Sequence, residues 1–125
     1  MGRCLAWDVT VVDTLAPSYV ADTAQLAGAA AQAAQERKEK KYENQLPPEY
    51  EFVGLAFETL GSIGSGTKEF LADLGQRLEA STGDKRSLQF LQQRLSIAIL
   101  RGNAASVLGT LMANDLEDLR EDYVL

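Results

Sequence analysis

Two features of this chain point to chemistry: an aspartate inside a β-branched run, Asp8 in "CLAWDVTVVD", and a group of cations late in a helical pattern, "ERKEKKYE". A carboxylate is disfavoured among strand residues, and burying one is costly without a partner or a metal. On the helical side, Ala24, Ala27, Ala31 and Ala34 follow 3,4,3 spacing, and the stripe runs on to Lys38 and Lys41, with Tyr42 beside them. A small-residue stripe of this kind suits close packing on a sheet. The packing face thus becomes cationic at its C-terminal end, which would set Lys38 or Lys41 next to Asp8 at a sheet edge. An acidic strand residue with a nearby lysine is a nuclease arrangement. Carboxylates hold Mg²⁺, the metal activates water, and lysine stabilises charge on the phosphate or orients the water. Such a site needs at least one more metal ligand. Glu58, on a second strand, is a substitute ligand in that reading, and a surface acid at a strand end in the plainer one. For Asp8 the plainer reading is an exposed edge-strand residue. For the cations it is a solvated helix end that complements the dipole. Asp13, on the opposite strand face from Asp8, reads as a strand-end or turn residue.

A second candidate is the glycine-rich stretch "GSIGSGTK", residues 61–68, between an apolar run and a helical pattern. Gly61 and Gly66 have the spacing of a phosphate-binding loop, but Thr67-Lys68 reverses the required Lys-[Ser/Thr] order. Exchanging the two moves each side chain about 100° around the helix, away from the phosphate and the metal it must reach. The loop reads instead as a helix start capped by Ser65 or Thr67. The chain has no histidine, which removes imidazole bases, His-based triads and most zinc sites. Cys4 is the only cysteine, so no internal disulfide is possible and a reducing compartment, nuclear or cytoplasmic, fits. The N-terminus lacks the pattern of a signal peptide, and no apolar run reaches the ~18 residues of a membrane span. Of the net charge of −6, the segment "NDLEDLREDYVL" contributes −4, with five acids and one arginine. The body is nearly balanced, and the acidic balance of the whole chain argues mildly against a free-standing nucleic-acid binder, which usually shows a basic surface.

The elements that must position these residues follow from periodicity. Residues 4–13 alternate as a strand, with Ala6, Asp8, Thr10 and Val12 on one face and Trp7, Val9 and Val11 on the other. Alanine-rich residues 22–45 predict one long helix with Asp22 as its N-cap, ended by Pro47-Pro48. Tyr50 to Leu60 reads as a strand buried on both faces. Helices are predicted over 66–80 and over 85–113, the last one apolar on several sides and so well buried. The fold class expected is α/β: a small mixed sheet of two to three strands packed with three to four helices. Residues 1–113 would form the domain and 114–125 an acidic tail. So thin a sheet implies a missing strand or a partner.

Four stretches, "GRCLAWDVTVVDTLAPSYV", "AGAAAQAAQERKEKKY", "FVGLAFETLGSIG" and "FLADLGQRL…TGDKRSLQFLQQRLSIAILRGNAASVLGT", together resemble a known family. They are similar to the C-terminal restriction-like endonuclease region, of the PD-(D/E)xK class, in reverse-transcriptase polyproteins of animal non-LTR retrotransposons. The resemblance covers about residues 2–110. In that family a hairpin carries Arg-Pro-Asp on one strand and a second Asp on the next, before a helix with a Lys-x-x-Lys-Tyr-like motif. It implies that Asp8 is the second Asp and a metal ligand, and that Lys38, Lys41 and Tyr42 form the helix motif. It further implies Mg²⁺-dependent nicking of target DNA, which gives the 3′ end that primes reverse transcription. No Arg-Pro-Asp occurs in the seven residues before Asp8. The expectation is therefore an N-terminally truncated fragment with an incomplete restriction-endonuclease-like core, inactive alone. The competing expectation is a non-catalytic interaction module, or the product of a decayed reading frame, that forms a homodimer through an exposed sheet edge.

Overall fold

Alternation, alanine content and glycine placement produce six elements: β1 (Cys4–Val12), α1 (Val20–Thr23), α2 (Ala29–Tyr42), β2 (Tyr50–Glu58), α3 (Ser65–Thr82) and α4 (Ser87–Thr110). The computed structural model describes residues 2–110, so the acidic segment 114–125 and the last residues expected for the final helix lie outside the described part. The class is α/β, as expected, with two parallel strands and four helices. A parallel pair needs a crossover, which the segment containing α1 and α2 supplies. The register sets Asp8 opposite Gly54 and Val12 opposite Glu58.

The sheet is the middle of three layers. On one face Ala31 and Ala34 of α2 pack on Ala56, with Val12 beside them. On the other, Leu55 and Phe57 meet Leu71 of α3, flanked by Leu91, Leu95 and Ile99 of α4. Small residues on α2 let its backbone come close to the strands, while larger side chains fill the α3–α4 side. Close approach recurs between α3 and α4. A Cβ at Gly75 would lie 2.7 Å from the Leu88 Cβ, too close for any larger residue without displacing the helices.

The two outer edges of the sheet differ. Along β2, the Ala56 N–H donates to the Thr67 hydroxyl at 2.9 Å, and the Glu58 N–H donates to the Ser62 carbonyl at 2.8 Å. Phe57 bridges Ile63. That edge is thus closed at its C-terminal end. β1 pairs only with β2, so its outer edge is open among the described residues. The apolar face of β1 is open too: Trp7 is 61 % exposed, and Leu5, Val9 and Val11 are exposed with it.

Three expectations need correction. The single helix over 22–45 is two helices, and Asp22 caps neither. Tyr19 precedes α1, and Gly28 precedes α2 in a left-handed conformation with φ 87°. Alanine content predicts helix on both sides of Gly28, but tertiary contacts at Gly28 fix the break. Glycine suits that conformation, and a Cβ there would lie 2.5 Å from the Ile63 carbonyl oxygen. β2 is buried on both faces only from Gly54 onward; Tyr50 and Glu51 at its start are exposed. α4 has no buried residue. Its apolar residues surround the helix, and the described chain covers only one side.

Candidate functional site

Asp8 comes to the α2 side of the sheet because alternation places it with Ala6, Thr10 and Val12. Nine residues into α2, Lys38 continues the buried Ala31–Ala34 stripe and reaches the same point. Its Nζ lies 2.7 Å from the Asp8 Oδ2, with both side chains about a third exposed. Sequence spacing left Lys38 and Lys41 as alternatives, and the structure places Lys38 at Asp8. Lys41 stands over the Tyr42 ring, 5.3 Å from its centroid. Tyr42 in turn packs on Phe52 of β2, ring centroids 4.7 Å apart. A shallow cleft of about 310 Å³ opens here, lined by Ala6, Trp7, Asp8, Tyr42, Leu46 and Phe52. Asp8, Lys38 and Tyr42 are therefore gathered at one place, with Lys41 at its margin.

The Asp8 carboxylate, hydrogen-bonded to the ammonium, raises the Lys38 pKa above the ordinary 10.5, against a smaller opposing effect of desolvation. A raised folded-state value means the pair stabilises the fold fully below the unfolded lysine value and stops doing so as pH rises through the folded one. The difference in unfolding midpoint between wild type and Lys38→Met is thus expected to stay level from neutral pH to about the ordinary lysine value and to shrink above it. Urea unfolding across that range checks this, and a difference that persists at the alkaline end contradicts it.

Mg²⁺ takes oxygen ligands in octahedral geometry, commonly one or two carboxylates with water and phosphate oxygens. Among the described residues no group of three or more His, Cys, Asp or Glu side chains is placed to hold a metal ion. Asp8 is a single carboxylate with one oxygen engaged by Lys38. This donor set does not fit Mg²⁺ on its own.

Glu58 corrects both of its sequence readings. It is fully buried rather than a surface acid. It is also four residues beyond Gly54, the partner of Asp8, hence about 13 Å along the sheet at ~3.3 Å per residue. Its Oε1 accepts the N–H groups of Ala30 and Ala31 at 3.1 and 3.2 Å, while Oε2 is buried without a hydrogen-bond partner. Glu58 caps the start of α2 and so fixes the helix that carries Lys38. Asp13 accepts the Leu15 N–H at 3.0 Å in a turn, as expected.

The glycine-rich stretch binds its own chain. Neither Ser65 nor Thr67 caps α3 with its side chain. Gln32 Oε1 accepts the Ser65 N–H at 2.9 Å, and Gln35 Oε1 accepts the Thr67 N–H at 3.2 Å. Gly66 lies so close to Gln35 that a Cβ would overlap its amide. Two of the backbone donors that would face a phosphate, at Ser65 and Thr67, are already used. Nothing in the local sequence pattern flags Gln32 and Gln35, because their partners are more than thirty residues away.

Comparison with protein-family models, with curated proteins and with solved structures gives no match. Among the described residues no helix is long and apolar enough to cross a membrane.

Proposed function

We propose that this chain carries part of a DNA endonuclease site of the restriction-like class, in which Asp8 and Lys38 are the reactive pair. The Asp8–Lys38 ion pair carries this reading: an acidic strand residue and a helix lysine meet on an α/β core. The order of motifs in the sequence, Asp8 and then Lys38-x-x-Lys41-Tyr42, supports it by resemblance. Lys38 exchanges its carboxylate partner for a phosphate oxygen of DNA, Lys41 contacts the backbone beside it, and Tyr42 on Phe52 holds that helix end in place. Asp8 would be one ligand of Mg²⁺ in a site completed by a further carboxylate on a strand paired with the open edge of β1. Without that carboxylate the chain would contact DNA through Lys38 and Lys41 but not nick it.

The experiment is a titration with a duplex oligonucleotide in Mg²⁺ buffer, with plasmid nicking assayed in parallel for wild type and Asp8→Ala. Salt-sensitive binding that depends on Lys38, with no nicking by either protein, is the expected result. Equal nicking by both proteins, or no binding by wild type, would sink the proposal.

The open edge and exposed apolar face of β1 favour a second reading, a non-catalytic module that docks an extended segment by strand addition. It requires partner binding that survives Lys38→Ala.

A further inference from the structure

α4 carries two apolar stripes. The inner one, Leu91, Leu95 and Ile99, packs against the core residues of β2 and α3. The outer one, Ile97, Leu100, Ala104 and Val107, repeats at 3,4,3 spacing, the period of a helix–helix seam. Ile97, Leu100 and Val107 are 55 %, 65 % and 61 % exposed. A helix that is apolar on opposite sides is normally enclosed, and a continuous exposed stripe marks an interaction surface.

Charge selects the occupant. The only charged residues of α4 are Arg94 and Arg101, and both follow the outer stripe at seven-residue spacing. The sequence after α4 has the opposite sign, with five acids and one arginine in residues 114–125.

We propose that the outer stripe of α4 is a self-association surface on which a second copy of this chain packs, the acid-rich residues 114–125 of the sequence supplying charge opposite to Arg94 and Arg101. This surface is separate from the open edge of β1 and does not rest on the nuclease reading.

The test is sedimentation equilibrium of the full chain over a wide concentration range. The mass is expected to rise with concentration from the 13.6 kDa of one chain toward twice that value. Leu100→Glu, at an exposed position outside the core, should hold the mass at one chain with an unchanged circular dichroism spectrum. Arg101→Glu should weaken association about tenfold, an effect of about 1.4 kcal/mol, and added salt should weaken the wild-type dimer. Val9→Glu, on the open face of β1, should leave it unchanged. A wild-type chain that stays monomeric overturns the proposal. So does a dimer that survives both α4 substitutions, or one abolished by Val9→Glu alone.

Discussion

Glu58→Ala is expected to lower the folding free energy by about 2–3 kcal/mol, the loss of two buried hydrogen bonds partly offset by removal of a desolvated carboxyl group. The substitution leaves the N–H groups of Ala30 and Ala31, both on fully buried residues, without an acceptor. The offset comes from Oε2, which is buried without a partner already. In a domain whose whole stability is about 5–15 kcal/mol, that loss is large, and the melting temperature should fall by roughly 10–15 °C. Glu58→Gln keeps an acceptor oxygen and should cost less. Chemical denaturation of the three proteins measures both effects. A Glu58→Ala protein within 0.5 kcal/mol of wild type, the range of an ordinary surface change, would show that Glu58 does not hold the start of α2.

Gly28→Ala attacks the same junction from the backbone and is expected to cost about 2–4 kcal/mol, since left-handed strain and a steric overlap add. A φ of 87° suits glycine, and the new Cβ would lie 2.5 Å from the Ile63 carbonyl oxygen. That carbonyl belongs to the backbone of the loop that closes β2, so it has little freedom to move. Relief requires α2 to shift away from the end of β2. Because Lys38 is carried by α2, the shift would also loosen the Asp8–Lys38 pair. A melt with the wild-type midpoint would contradict this account of the break between α1 and α2.

These two residues show where the sequence is readable and where it is not. The alternation in β1 places Asp8 on the face with Ala6 and Thr10, and the alanine stripe of α2 aims Lys38 and Lys41 at that face, so a lysine beside Asp8 is legible from spacing, while the choice of Lys38 needs the structure. The order of strands and helices is legible for the same reason: periodicity is a local signal. Gly28 is less so, because alanines on both sides predict an unbroken helix, and only the carbonyl of a residue 35 positions later makes the glycine obligatory. Glu58 is hidden for a similar reason. An acid at a strand end reads as exposed until the helix start it caps is known to lie beside it. α4 misleads in the other direction. Apolar residues on several sides predict burial, yet burial needs a neighbour, and the described chain provides one for the inner stripe only.

The central claim is that Asp8 and Lys38 form part of a DNA site, and duplex binding tests it directly. Wild type and Lys38→Glu are titrated into a dye-labelled duplex oligonucleotide in Mg²⁺ buffer, and fluorescence anisotropy is followed. Arg77→Glu, exposed on α3 and paired with Asp73, serves as a charge-matched control. The account predicts a saturable, salt-sensitive change for wild type and for Arg77→Glu. It predicts binding weaker by about tenfold or more for Lys38→Glu, the loss of a charge-assisted phosphate contact. Equal affinities for all three proteins, or no response from wild type, would contradict it.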